Sequence, residues 1–321
     1  RRYVEAGDSV EGLLRGRTNS ATVSWLRELG VRLHHGDVTQ SAGLERFMDG
    51  ADLLVHSAAV IGYRRRMWGE MQRVNVIGTR NVMEAARLAQ VGRVVHVSSI
   101  AAVGIADTPI VLNEDSELDP DPLDAAYFDT KLAAEDEVAR AVDQGLHVTT
   151  VNPGAIYGAA LTPSNSSRVI ASILTSPLSL IPPGGINVVP LDSVVEGVVA
   201  AGLRGQQGRR YILGGENLSL AELVQRVGLA AGRKLSPRVL PSWIAQPARA
   251  AMNCIEPFVP DSLWFTPDLC AAFGRWMWFD TTRAEGELEF KAGDLDACLR
   301  ATIVQLRDRG MLKASQINLG R

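Results

Sequence analysis

Hydrophobic positions along this chain follow two different periods. Short apolar, mostly β-branched or leucine-rich runs at 10–14, 31–33, 52–56, 93–97 and 147–151 predict strands. Between them, stretches at 24–29, 42–48, 70–90 and 125–144 carry helical spacing. Residues 1–6 read as the last turns of a helix that Gly7 stops. Strands and helices thus alternate at the spacing of right-handed βαβ units. Strands this apolar suit a parallel sheet covered on both faces. Small or polar clusters follow the strands: Gly36-Asp37-Val38, Ser57-Ala58-Ala59, Ser98-Ser99 and Asn152-Pro153-Gly154. Ligands gather at the carboxyl ends of such strands, so the clusters predict a single site. Turn chemistry accounts for any one cluster alone; their common placement is the stronger argument.

After Gly154 the pattern loosens. Helices are expected at 164–176, 192–203, 220–231, 279–288 and 294–309, and strands at 187–190 and 210–213. Asp192 or Ser193 is expected to cap the second of these helices. Ser219 with Glu222 three positions on predicts a capping box for the third. Residues 237–280 are rich in Pro and aromatics, and no repeat or low-complexity linker separates the halves. The expected architecture is α/β: a Rossmann-type doubly wound parallel sheet with a smaller, interleaved C-terminal substrate lobe. The nucleotide-binding part spans 1–160, with 187–213 returning to it; 161–186 and 214–321 form mainly the substrate lobe.

Composition narrows the function classes. With 321 residues and net charge −3, the chain offers no basic footprint for nucleic acid. Its three Cys are widely spaced, which argues against a disulfide framework or zinc site and fits a reducing cytoplasm. The five His show no metal-ligand spacing. No signal peptide and no apolar run of ~18 residues is visible, so stable membrane insertion is not expected.

The chemistry centres on Tyr127 and Lys131, four positions apart and therefore on one face of a helix. A nearby ammonium favours phenolate and is expected to pull the Tyr pKa down. A phenol so tuned can exchange a proton with a substrate hydroxyl near neutral pH. A surface helix where the two meet by accident has the same spacing, so neighbouring motifs decide the matter.

Those neighbours resemble the extended short-chain dehydrogenase/reductase family over nearly the whole chain. The carrying motifs are Tyr127-xxx-Lys131, Val97-Ser98-Ser99-Ile100 with Gly104, His35-Gly36-Asp37-Val38, Ser57-Ala58-Ala59, and the run Asn75-Val76-Ile77-Gly78-Thr79-Arg80-Asn81-Val82. Asn152-Pro153-Gly154-Ala155-Ile156-Tyr157-Gly158 adds the turn beside the nicotinamide, and Tyr211-Ile212-Leu213-Gly214-Gly215 a second-lobe signature. The subgroup suggested contains sugar-nucleotide epimerase-like, dihydroflavonol-reductase-like and 3β-hydroxysteroid-dehydrogenase-like enzymes. The resemblance implies hydride transfer with NAD or NADP. Tyr127 would be the general acid/base. Lys131 would tune it and hold the nicotinamide ribose, and Ser99 would bind the substrate oxygen. Asp37 and Val38 would flank the adenine, and Ser57, Ala58 and Ala59 would lie under the ribose. Ser98, Pro153, Gly154 and Ile156 would line the rest of the cofactor path. Asn75 is expected to brace its helix rather than do chemistry. Arg15, with Arg17 nearby, stands where an acidic residue would select NAD, which favours NADP.

One departure from the family is expected to matter. Family members open with a strand and a Gly-rich phosphate loop, and both are missing from these 321 residues, which open in the tail of the following helix. The start at Arg1 favours a partial sequence of a normal enzyme over a natural short form. The aromatics Trp243, Phe258, Trp264, Phe265, Trp276 and Trp278 either pack the small lobe, wall an apolar pocket or touch a membrane surface. A steroid- or flavonoid-like alcohol or ketone is the expected small-molecule substrate. A sugar-nucleotide epimerase or dehydratase retaining its NAD is one alternative, with Arg168, Arg204 or Arg209 meeting the diphosphate. A non-catalytic dinucleotide sensor or an inactive truncated form is another. Family members commonly form homodimers through the two long helices.

Overall fold

In the computed structural model, residues other than 17, 63, 117–124, 163, 176–179, 245–246, 248–250, 252–272, 314–315 and 318–321 are described. In chain order the first part holds α1 (Arg2–Glu5), β1 (Glu11–Leu14), α2 (Ser20–Glu28), β2 (Arg32–His35), α3 (Leu44–Met48) and β3 (Leu53–His56). It continues through α4 (Trp68–Met71), a π-helical turn (Gln72–Ile77), α5 (Gly78–Leu88), β4 (Arg93–Val97), β5 (Val111–Leu112), α6 (Ala126–Asp143), β6 (Val148–Pro153) and β7 (Ala155–Tyr157). The second part holds α7 (Asn165–Thr175), β8 (Leu180–Ile181), β9 (Gly185–Pro190), α8 (Leu191–Arg204), β10 (Arg210–Leu213), β11 (Glu216–Ser219) and α9 (Leu220–Ala230). It ends with β12 (Arg238–Val239), β13 (Trp276–Phe279), α10 (Thr282–Leu288) and α11 (Leu295–Asp308).

Four parallel strands in the order β10-β6-β4-β3 form the main sheet, and β1 and β2 form a separate parallel pair. Helices cover both faces. On one, α3, α5 and α6 bury Leu44, Met48, Val82, Met83, Ala86 and Val138 against Val94 and Val148. Leu13 of β1 and Leu54 of β3 join that same cluster, so shared helices rather than strand hydrogen bonds link the pair to the main sheet. On the other face, α8 and α10 pack Val194, Ala201, Ala284 and Leu288 against Val95, Val151 and Tyr211. This is the doubly wound α/β arrangement that the alternating pattern predicts. A second, mixed sheet built on β9 pairs with β11 antiparallel and with β7 and β13 parallel. Helices α7, α9 and α11 bury Ile170, Leu174, Val227, Leu299, Ile303 and Leu306 against it.

Local rules explain several boundaries. Helix α6 ends on Gly145 at φ +92°, with Gly145 N bonded to Val142 O (2.9 Å) and Leu146 N to Ala141 O (3.0 Å). That double bond across a left-handed residue is a conformation glycine adopts without strain. Ser219 and Glu222 form the expected capping box. Three expectations need correction. The helix at 70–90 is not uniform, because the π turn at Gln72–Ile77 interrupts it. Helix α8 starts directly after Pro190 without a side-chain cap: Ser193 Oγ instead accepts Gly293 N at 2.8 Å, a tertiary bond that outcompetes a local one. Phe279 ends a strand rather than starting a helix. The run Trp276-Met277-Trp278-Phe279 favours a pleated surface, and Asp280 Oδ1 accepts Thr282 N (2.6 Å) to start α10 afterwards.

Among the described residues, no helix is long and apolar enough to cross a membrane, and no cluster of His, Cys, Asp or Glu could hold a metal ion. Arg17, Phe258, Trp264 and Phe265 lie outside the described residues. Packing on the second sheet is tested by Ile303→Ala in α11, whose side chain is fully buried. The expected cost is about 2–5 kcal/mol, against under ~0.5 kcal/mol for Leu229→Ala on the exposed face of α9, read by chemical denaturation.

Candidate functional site

Parallel register brings the ends of β3, β4, β6 and β10 to one edge of the main sheet, where His56, Val97, Pro153 and Leu213 hand over to polar or glycine turns. Helix α6 lies close to this edge because small residues face the sheet: Ala125, Ala126 and Ala134 are almost fully buried. It delivers Lys131 into the protein with 3 % exposure, its Nζ donating to Val97 O at 3.1 Å. One turn earlier, the Tyr127 phenol hydrogen-bonds the Ser99 side chain. Ser99 is held in turn at the end of β4, where its Oγ accepts Ala101 N (3.2 Å) and caps a short helical turn. Ser99, Tyr127 and Lys131 therefore meet at one place, across two elements separated by nearly thirty positions in the sequence.

Burial sets the electrostatics. Desolvation moves the Lys131 ammonium down from 10.5 to about 8, with the Glu135 carboxylate opposing the shift. The Tyr127 phenol is pushed up by burial, and its bond to Ser99 offsets part of that. The expected lowering of the Tyr127 pKa by Lys131 is thus corrected: burial of the phenol raises it, and the opposing influence is the Ser99 hydrogen bond rather than the Lys131 charge. Behind Lys131, His56 on β3 and His96 on β4 stack with ring centroids 5.4 Å apart. Burial and the Lys131 charge drive His56 down to about 3 and His96 well below its usual value, so both imidazoles stay neutral.

Two asparagines lace the strand-end turns to the helical run that contains the π turn. Asn75 Oδ1 accepts Val60 N (2.7 Å), and its Nδ2 donates to Val60 O (3.0 Å) and Thr130 Oγ1 (3.2 Å). It ties the turn after β3 to α6. Asn81 Nδ2 donates to Val38 O (2.9 Å), fixing the turn after β2. A π turn widens the helix by one residue and often marks a functional position. Here it carries Asn75, which is 2 % exposed.

Ser57, Ala58 and Ala59 are exposed at the end of β3. Asp37 Oδ1 accepts Thr39 N (2.9 Å), and this bond, more than the nearby Arg15 and Arg73 charges, holds its carboxyl below the usual range. Arg15 follows β1 and approaches Glu70 at 3.6 Å. Pro153 pairs with Leu213, and Gly154 N donates to Leu213 O (3.1 Å). A Cβ on Gly154 would lie 2.5 Å from Asn187 Oδ1, so only glycine fits there. Two predicted residues point elsewhere than to an open slot. The Ser98 hydroxyl is committed to the Glu135 carboxylate, and Ile156 packs toward the α8 face. Small exposed residues, a pair of cations beside Asp37 and a buried ammonium suit a dinucleotide with a diphosphate and two riboses.

Two residues at the candidate site escaped the sequence reading, Glu135 and the side chain of Asn152, while the brace expected of Asn75 reaches beyond its own helix to the turn after β3 and to α6. Glu135 had a signal, since it continues the spacing of Tyr127 and Lys131 by one more turn. Asn152 Nδ2 donates to Ser99 O (2.9 Å) and to Glu135 (2.7 Å), bonds that need the β4–β6 pairing to exist first.

The model of the NAD dependent epimerase/dehydratase family matches residues 1–184. The chain is 28% identical over 315 residues to sterol demethylase protein B of Methylococcus capsulatus, covering 97% of this chain and 95% of that protein. It is 32% identical over 212 residues to a 4-hydroxy-2-methyl-3-oxo-4-farnesyl-3,4-dihydroquinoline-1-oxide ketoreductase of Stigmatella aurantiaca, covering 65% and 62% of the two chains. Among solved structures it is similar to gox2253, with a TM-score of 0.82, 28% identity, and 96% and 93% of the two chains covered.

Lys131 yields a stability test. Folding lowers its pKa, so between about 8 and 10.5 the unfolded chain binds a proton that the folded chain has shed. Stability from this group therefore rises with pH through that window and is least below it. Lys131→Met is expected to raise the unfolding free energy below pH ~8 by at most about 3 kcal/mol, the gain shrinking as pH climbs, in urea titrations at several pH values. A pH-independent difference between the two proteins contradicts this burial.

Proposed function

We propose that this chain, an enzyme that belongs to the NAD dependent epimerase/dehydratase family, is an NAD(P)-dependent oxidoreductase acting on a secondary alcohol or ketone of an apolar substrate. The hydrogen bond between Tyr127 and Ser99, with Lys131 buried one turn behind, is the observation that carries the reading. When bound, the nicotinamide supplies or accepts the hydride. In the reducing direction Ser99 donates to the substrate carbonyl oxygen and stabilises charge as it develops there. Tyr127 delivers its proton to that oxygen. Lys131, held beside the phenol, offsets the negative charge left on it. The reverse sequence serves oxidation. Ser57, Ala58, Ala59, Asp37, Val38, Lys131, Pro153 and Gly154 would hold the cofactor.

Two observations favour an apolar substrate. Strand β13 exchanges backbone bonds with Ala106, in the segment leaving the Ser99 turn (Trp276 N to Ala106 O, 2.7 Å; Ala106 N to Trp276 O, 2.9 Å). It presents Trp276 and Trp278, edge to face with centroids 4.6 Å apart and both partly exposed. Trp278 Nε1 donates to Leu218 O (3.1 Å), which leaves its ring to offer apolar surface. Two of the three arginines considered for a sugar nucleotide's diphosphate are engaged elsewhere, while Arg168 is exposed on α7. Arg204 bonds Leu288 O and Glu289, and Arg209 pairs with Glu287 just before β10 begins, at the opposite edge of the sheet from the site. The sterol and ketoreductase names of the two relatives agree with the apolar reading. Arg15 and Arg73 beside Asp37 favour NADP over NAD.

Tyr127→Phe is expected to lower kcat on ketone substrates by ~10²–10⁴-fold while retaining NADPH binding. Equal turnover by the variant removes Tyr127 from the chemistry. Arg15→Ala is expected to weaken NADPH by about tenfold or more relative to NADH, read by nicotinamide fluorescence titration. An unchanged ratio shows that Arg15 does not choose the cofactor.

A further inference from the structure

We infer that Glu135 is a positioning residue, which locks the Ser99 turn, the turn at Pro153 and Gly154, and the Tyr127/Lys131 helix into one geometry. The inference rests on the hydride-transfer reading. Glu135 stands one turn beyond Lys131 on α6 and is 7 % exposed. One carboxylate oxygen accepts the Ser98 hydroxyl and Asn152 Nδ2 (2.7 Å). The other meets Arg210 at 2.8 Å. Asn152 Nδ2 also reaches Ser99 O (2.9 Å), so the carboxylate grips the β4 turn from both of its serines. One buried group thereby spans α6, β4, β6 and β10. A carboxylate with three charge-assisted or buried partners is rigid, and rigid support of reacting groups is worth far more than its own contact energy.

The same carboxylate faces Lys131 electrostatically. The titratable groups coupled to that ammonium are Glu135 on α6, His56 on β3 and His96 on β4, with Tyr127 one turn earlier on the same helix. Arg210 on β10 reaches it through Glu135. The two imidazoles are neutral, and His96 has no hydrogen-bond partner among the described residues. Glu135 is therefore the counter-charge that keeps a desolvated Lys131 protonated. Loss of the charge makes the ammonium easier to deprotonate, while loss of the shape misplaces Ser99.

The test compares Glu135→Gln, which keeps the length and one acceptor oxygen but loses the charge and turns the second acceptor into a donor, with Glu135→Asp, which keeps the charge on a shorter arm. NADPH affinity is titrated by nicotinamide fluorescence across pH, alongside kcat and KM. In the parent protein affinity should fall as pH rises through about 8, where Lys131 loses its proton. In Glu135→Gln that midpoint should move down by about one unit, with kcat reduced about tenfold or more and KM within about twofold. Glu135→Asp should restore the midpoint but not kcat. An unchanged midpoint and an unchanged kcat in folded Glu135→Gln overturn the inference. Should that variant fail to fold, the double variant Glu135→Gln, Arg210→Met, which strands no guanidinium, carries the same comparison. A parent protein that binds NADPH without turning over any ketone removes the hydride-transfer reading, and the midpoint comparison still decides what Glu135 does.

Discussion

Burying an ammonium is the constraint around which this fold is arranged. Lys131 sits almost out of water on a helix whose neighbours are alanines. An isolated buried charge is strongly disfavoured, so it must find oxygen atoms and counter-charge or give up its proton. It does some of each. The Val97 carbonyl and the Glu135 carboxylate support the charged form, and desolvation still brings the pKa to about 8. The site is thus poised near neutrality by opposition between burial and pairing, and neither alone would produce it.

The opposition shapes the surrounding structure. Polar side chains that would otherwise be liabilities between α6 and the sheet are bonded to one another: Asn75 to Thr130 and the Val60 backbone, His56 to Thr79 at 3.0 Å, Glu135 to Ser98, Asn152 and Arg210. Together they make a hydrogen-bonded layer at the carboxyl edge, above an apolar layer of Val94, Val138 and Val148. Most of these groups are satisfied, which fixes where the strand ends stop, while the His96 ring nitrogens and Asn152 Oδ1 have no hydrogen-bond partner among the described residues. Tyr127 and Lys131 on α6 and Ser99 in the turn after β4 are held by that layer. The second sheet closes the region from the side of the Ser99 turn through Ala106 and Trp276.

Much of this was legible in the sequence. The spacing of Tyr127 and Lys131, the serines after β4 and the small residues after β3 all predicted one edge and one site, because period and turn chemistry are local properties. Asp37, Val38, Pro153 and Gly154 fell at strand ends for the same reason. What escaped depends on contacts made only after folding. The direction of the Tyr127 shift follows from depth of burial, which spacing along a helix does not encode. The π turn that presents Asn75 is stabilised by packing against α6 rather than by any local signal. Ser98 and Ser99 are adjacent and identical in type, yet one faces Glu135 and the other Tyr127, a division fixed by the pleat of β4. Ser193 looked like a helix cap and serves Gly293 instead.

The chain contains only four lysines, at 131, 234, 291 and 313, so their side-chain NMR signals can be resolved and assigned by substitution. Direct titration of the labelled lysine side chains tests the central claim. The account predicts that the Lys131 signal, identified by its loss in Lys131→Met, titrates near 8. A Lys131 signal that titrates in the ordinary lysine range would contradict the claim that burial outweighs pairing at this ammonium.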